Sequence, residues 1–446
     1  DVPSQKVTTM SNRISLPTRR ALGVVAGFTA ATLALAGCSG GGDDVTTVSV
    51  MYQSNEFTPE MIAAFEADNP AIKIEFIEFD QTRLNASLTA GDPPDLVRGS
   101  PNPNLFARGL AEPLDDFIAE SEIITADDLL PVNDLWRWDG STSGVGPLYG
   151  VIKDWSADTT LWQNTALLEE AGIEPFSTTD AADWDAILDA AKQLKAAGVS
   201  EYPLGLNWQW GVGAIFNTMI VQQGGTIYND DLTEVDYETP EAKRAFEWFV
   251  DYATSGVGVT TANPLPDGSD VASFEGGRMA MTLTGYWMGG GLTADGAAGV
   301  RDYAQLIPTP TFGENISAVA GGVGAWIPSK SDAKDEAWRV MEYFMGGEPA
   351  VEHSKSGWGL PALESLWGNL PQEFEFQVQA AATAEQEAAN VTTLPSSPYM
   401  DGAVFTAELD DAIMGAAKGE LTVDAALAQL TTAINDTLAQ GKDQLG

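Results

Sequence analysis

Between Val48 and Phe79 the apolar residues alternate, then recur at helical spacing, then alternate again, and this constrains the fold more than any other stretch. Val48, Val50 and Tyr52 alternate as on a half-buried strand. From Pro59 to Asn69, Met61, Ile62 and Phe65 fall on one helical face, with Pro59 suited to a first turn and Pro70 closing the segment. Ile72, Ile74 and Phe76 then alternate through Phe79. A β-α-β unit of this kind builds a parallel sheet with helices on its faces, so the chain is expected to be α/β. Leu96-Val97, following Asp92-Pro93-Pro94-Asp95, reads as the next short buried strand.

Farther along the elements become mainly helical. Trp184, Ile187, Leu188, Ala191 and Leu194 form an apolar stripe that Gly198 ends. A second runs from Ala242 through Ala245, Phe246, Phe249, Val250 and Ala253 to Gly256. Ala337, Val340, Met341 and Phe344 make a third before Gly346-Gly347, and Leu427, Leu430, Ile434 and Leu438 a last one. The Ala/Glu-rich stretch from Ala380 to Asn390 is expected to be one more helix.

The only cysteine, Cys38, closes Leu35-Ala36-Gly37-Cys38 after an apolar run from Ala21 to Ala36 and a basic stretch with Lys6, Arg13, Arg19 and Arg20. A positive region, a short apolar region and small residues at a cut site make a secretory signal peptide. The run is shorter than the roughly 20 residues a membrane-spanning helix needs. Placing the lone thiol at the cut resembles the lipobox of bacterial lipoproteins, which implies lipidation at Cys38 and a tether in Gly40-Gly41-Gly42-Asp43-Asp44. Residues before Met10 fit no part of the signal pattern. One cysteine allows no internal disulfide, so stability must come from a core. About 400 residues beyond the leader are enough for two domains.

The formal charge is −42, and the leader's cations make the rest of the chain more acidic still. Such a field repels nucleic-acid phosphates and anionic lipid surfaces, so no nucleic-acid partner is expected. A neutral or cationic small solute is compatible. His353 is the only histidine, which leaves a transition-metal site unsupported and no cofactor expected.

Several motifs, in order, resemble those of extracellular solute-binding proteins of the maltose-binding type, the receptor subunits of ABC importers. They are Ala90-Gly91-Asp92-Pro93-Pro94-Asp95-Leu96-Val97; Tyr149-Gly150-Val151-Ile152-Lys153-Asp154 with Leu161-Trp162-Gln163-Asn164; and Leu168 to Gly172 with Pro175 and Trp184. Phe274-Glu275-Gly276-Gly277-Arg278-Met279-Ala280-Met281 with Gly285-Tyr286-Trp287 follows, then Pro308 through Gly321-Gly322 to Ala337-Trp338, then Gly419 to Asp424. Gln163 stands where the family usually has an aromatic, and Ile152 where it has proline.

The resemblance implies a two-lobed periplasmic-binding-protein type II fold with a ligand cleft between the lobes. Its implied organisation is 1–37 signal peptide, 38–44 tether, 45–153 with 306–350 one lobe, and 154–305 with 351–446 the other. The implied role is capture of a neutral sugar or oligosaccharide by lobe closure at the outer face of the bacterial membrane. The implied partners are the carbohydrate and ABC permease subunits, with the lipid as membrane anchor and the protein a monomer. A ligand that bridges both lobes only in the closed form would pull the open–closed equilibrium toward closure.

A sugar offers hydroxyls at its rim and apolar C–H faces. Carboxylates, amides and Arg suit the first; flat rings suit the second, each stack adding on the order of 1 kcal/mol beyond area. Of the thirteen tryptophans, Trp184, Trp248 and Trp338 sit on or beside helix stripes and are assigned to packing. Trp287 matches the family's cleft aromatic by motif position and is expected at the end of a strand through Ala280-Met281-Thr282-Leu283. Asp154 and Trp155 follow a lobe crossing. Trp208 and Trp210 are expected in a loop at a strand end, one of them facing ligand. Asn55 and Glu56 follow the first strand, where open α/β sheets place ligand loops. Arg98 either contacts ligand or neutralises nearby acids. Gly321 and Gly322 would allow close backbone approach, and Trp358 completes the candidates.

The alternatives are a binding protein for another small solute and a lipid-anchored glycosidase acting through two carboxylates. Against the enzyme stands the absence of a P-loop, GxSxG or HExxH signature.

Overall fold

A computed structural model describes residues 45–266, 269–318 and 322–445. The signal peptide, Cys38 and the tether, together with Gly321, lie outside the described residues.

The β-α-β unit forms as read. Strand Thr46–Tyr52 pairs in parallel with Ile72–Glu78 from Thr46↔Ile72 to Tyr52↔Glu78, and helix Pro59–Asp68 connects them. Thr58 caps that helix by accepting from the Met61 amide, and Asn69 ends it. Strand Leu96–Gly99 adds in parallel on the other side of Thr46–Tyr52. Antiparallel strands Val323–Trp326, Val151–Trp155 and Leu360–Pro361 complete a sheet of six. A second sheet of four is ordered Ala304–Ile307, Leu161–Asn164, Met279–Leu283, Tyr202–Gly205.

The chain passes from the first sheet to the second between Trp155 and Leu161 and returns between Ile307 and Val323. The segment after residue 350 starts on the first sheet, where Leu360–Pro361 pairs with Val151–Trp155. It then reaches the second sheet, where Gln379 of helix Glu375–Ala388 bonds both backbone groups of Leu306. Pairing partners, which the sequence does not display, decide where each crossing falls.

The amphipathic stripes become helices Trp184–Ala197, Pro240–Ser255, Lys334–Gly346 and Val423–Leu445. Gly198 and Gly256 end the first two in left-handed backbone, which glycine adopts without steric cost. One apolar core surrounds the six-stranded sheet (Val50, Leu96, Trp136, Ile152, Trp326, Phe344) and continues onto the four-stranded sheet through Trp162, Met279 and Leu306. The other packs the four-stranded sheet under helices through Leu204, Trp208, Phe216, Phe249, Met281 and Ile434. Among the described residues no helix is long and apolar enough to cross a membrane.

Three local expectations change. Asp154 and Trp155 do not follow the crossing; they end strand Val151–Trp155 just before it. Trp287 does not end the strand: Met279–Leu283 stops earlier, and Trp287 sits in a 3-10 turn, Tyr286–Thr293. Gly285 makes that break, with φ 70° and a position where a Cβ would come within 2.5 Å of Asp158 Oδ1. Trp208 and Trp210 are not in a loop; they open helix Trp208–Gln222. Asn207, in left-handed backbone at φ 46°, turns the chain straight into it while its amide donates to Asp270 Oδ2 at 2.7 Å.

Candidate ligand-binding cleft

A cleft of about 1050 Å³ opens beside the crossing from Trp155 to Leu161. That is just above the range of about 300–1,000 Å³ usual for small-molecule sites. Asn55, Glu56, Arg98, Asp154, Trp155, Trp210, Trp287, Gly322 and Trp358 all line it.

Trp208 does not. Successive helical residues turn by about 100°, so positions two apart point to nearly opposite sides. Trp208 therefore enters the core, 2% exposed and stacked on Tyr252 at 5.5 Å, while Trp210 emerges 48% exposed in the cleft.

Three indoles form a row. Trp287 lies 6.5 Å from Trp210 at 43° and 6.5 Å from Trp358 at 19°. Trp358 lies against Gly290, where a Cβ would meet its ring at 2.5 Å, so glycine makes this approach possible. Trp155 is a different kind of neighbour. It is nearly buried, its indole N–H donates to Pro361 O at 3.1 Å, and its ring tilts on Trp367.

The charged residues form a second group. Glu56 accepts from Arg98 Nη2 and from Lys153 Nζ, both at 2.8 Å. Lys153 Nζ also lies 3.1 Å from Asp154 Oδ2, and His353 Nε2 is 2.8 Å from that same oxygen. Burial, the largest single influence, would raise the Glu56 and Asp154 carboxyls; Lys153 and Arg98 together on Glu56, and Lys153 and His353 together on Asp154, outweigh it and hold both below the usual range. Burial likewise works against the Lys153 ammonium, but the Asp154 and Glu56 carboxylates keep it charged. Arg98 thus does what its alternative reading held, neutralising an acid, while also facing the cleft.

Asp158 behaves oppositely. Desolvation, reinforced by Asp154, pushes its carboxyl well above the ordinary carboxylate range, although the Trp287 and Ser156 hydrogen bonds pull the other way.

Sequence reading missed Lys153, Ser156, Asp158, Glu352, His353 and Ser356 as cleft residues. For Lys153 there was a signal: a lysine beside an aspartate inside the otherwise apolar strand Val151–Trp155 must be paired if buried. For the others there was none, because helix Glu348–Ser356 and the crossing reach the cleft only through tertiary packing.

Two sheets joined by chain crossings and a cleft with mixed aromatic and charged walls give the layout of a two-lobed α/β protein. Residues 60–366 match the family model for bacterial extracellular solute-binding proteins, and the chain belongs to that family, whose members work outside the cytoplasm. An uncharacterized ABC transporter extracellular-binding protein of Pyrococcus horikoshii is 28% identical over 199 residues, 42% of this chain and 44% of that relative. The chain thus aligns with less than half of that curated relative's length. An ABC substrate-binding protein from Listeria monocytogenes, solved with cycloalternan, superposes with TM-score 0.73 at 23% identity, covering 89% of this chain and 100% of that one. A solute-binding protein from Thermotoga lettingae bound to alpha-D-tagatose gives 0.71 at 20% identity over 89% and 100%. These likenesses establish the fold.

Proposed function

We propose that the chain is the capture subunit of an ABC importer and binds a neutral sugar or oligosaccharide without altering it. The observation that carries this reading is the row Trp210, Trp287 and Trp358 in the same cleft as a charge cluster whose cations already face carboxylates. Indole faces suit pyranose C–H faces, and carboxylates and amides suit hydroxyls. Arg98 and Lys153 are both committed to Glu56, which disfavours an anionic ligand. The sugar complexes among the structural neighbours point the same way.

The expected lobes, 45–153 with 306–350 and 154–305 with 351–446, divide strands Val151–Trp155 and Ala304–Ile307, so in this reading the first lobe runs to Trp155 and resumes at Val323, and the second runs from Leu161 to Ile307. Leu360–Pro361 is assigned to the first lobe by its pairing. Closure around ligand presents the form the permease reads. Lipidation at Cys38 would hold a monomer at the outer face of the membrane.

Calorimetry against mono- and oligosaccharides tests the reading. Stoichiometric binding near −8 kcal/mol, about micromolar, with the sugar recovered intact, is expected. Hydrolysis of a glycoside in the same sample would favour the glycosidase.

A further inference from the structure

The turn that carries Trp287 is pinned at two points to the crossing segment. The Tyr286 amide donates to Ser156 Oγ at 2.6 Å, and the Trp287 indole N–H donates to Asp158 Oδ1 at 3.1 Å, across 129 residues of sequence. Gly285 leaves the space both acceptors need. Trp287 is the middle ring of the row, so its pitch sets its angle to Trp210 and to Trp358 at once.

We propose that Asp158 is a positioning residue which, through its bond to the indole N–H, fixes Trp287 as the stacking platform of the cleft. This rests on the carbohydrate reading for its purpose, though not for its geometry. The bond asks only for an acceptor oxygen at position 158. An asparagine supplies the same acceptor, and an alanine leaves the indole N–H without its partner.

The test uses the protein labelled with 15N-tryptophan, the Trp287 indole signal being assigned from W287F. Without ligand, D158A should shift that signal and speed its exchange with solvent, while D158N should keep its protection. Affinity for maltotriose should fall about tenfold in D158A, the scale of one lost buried hydrogen bond, and be restored toward wild type by D158N. In a W287F background D158A should cost little further, because the coupling is already gone. An unmoved Trp287 indole signal in D158A overturns the proposal, as does a D158N signal matching D158A. Should wild type not bind maltotriose, the carbohydrate reading is weakened for that sugar, and the ligand-free signal still decides the role of Asp158.

Discussion

The indole nitrogen of Trp208 donates to Asp410 Oδ1 at 2.6 Å, joining residues 202 positions apart. That bond and the stack on Tyr252 hold Trp208 in the second core. Two residues on, Trp210 stands in the cleft. The two tryptophans share a motif and differ in role.

Alanine substitutions should therefore divide cleanly. Trp208→Ala should cost about 3–5 kcal/mol of folding stability, as for a buried tryptophan, with affinity of the folded fraction little changed. Trp287→Ala should weaken carbohydrate binding by roughly 2–4 kcal/mol, the size of a buried aromatic hot spot, with a much smaller effect on unfolding. Denaturation curves and calorimetry on both variants read the two effects separately. A reversed pattern would place the platform elsewhere.

Lys153 neutralises Glu56 and Asp154 from within a sheet strand. Lys153→Met leaves both carboxylates without their main counter-charge and should destabilise by about 3–5 kcal/mol at neutral pH, as when one partner of a buried pair is removed. Both carboxyls have folded pKa values below their unfolded ones. Their contribution is thus present above about pH 4 and lost as pH falls through the folded values. The gap between wild type and Lys153→Met in urea unfolding should accordingly narrow at pH 3.5. A gap independent of pH would mean that packing, not charge, is the role of Lys153.

Asp158 has the opposite sign. Its folded pKa lies above the unfolded value, so ionising it costs stability as pH rises from about 4 toward the folded pKa. Asp158→Asn removes that cost. Its melting temperature should exceed that of wild type at pH 7 and converge with it in mild acid.

Cys38 can be tested in the native host. If it carries a lipid, Cys38→Ala should leave the membrane fraction or remain uncleaved. Normal processing with unchanged membrane retention would remove the anchored reading.

Local periodicity made the elements legible. Strand alternation at Val48–Tyr52 and Ile72–Phe76, proline and glycine boundaries, and the helix stripes all arise from neighbours within a few residues, and each became the element expected. The order of short motifs also made the family legible, and the residue types suited to a sugar mostly reached one cleft. What failed were positions where chain direction turns on a distant contact. Trp287 left its strand where Gly285 packs on Ser156 and Asp158, and Trp208 opened a helix in place of a loop where Asp270 holds the amide of Asn207.

The sequence by itself thus determined an α/β chain with these helices and strands, an acidic surface and a set of candidate aromatics and carboxylates. Only the tertiary structure decided which tryptophans share a row, that Lys153 bridges Glu56 and Asp154, and that Asp158 holds Trp287. The physical reason is range: hydrophobic periodicity is set by the pitch of one element, whereas the bonds that orient these side chains span 97 residues from Glu56 to Lys153 and 129 from Asp158 to Trp287.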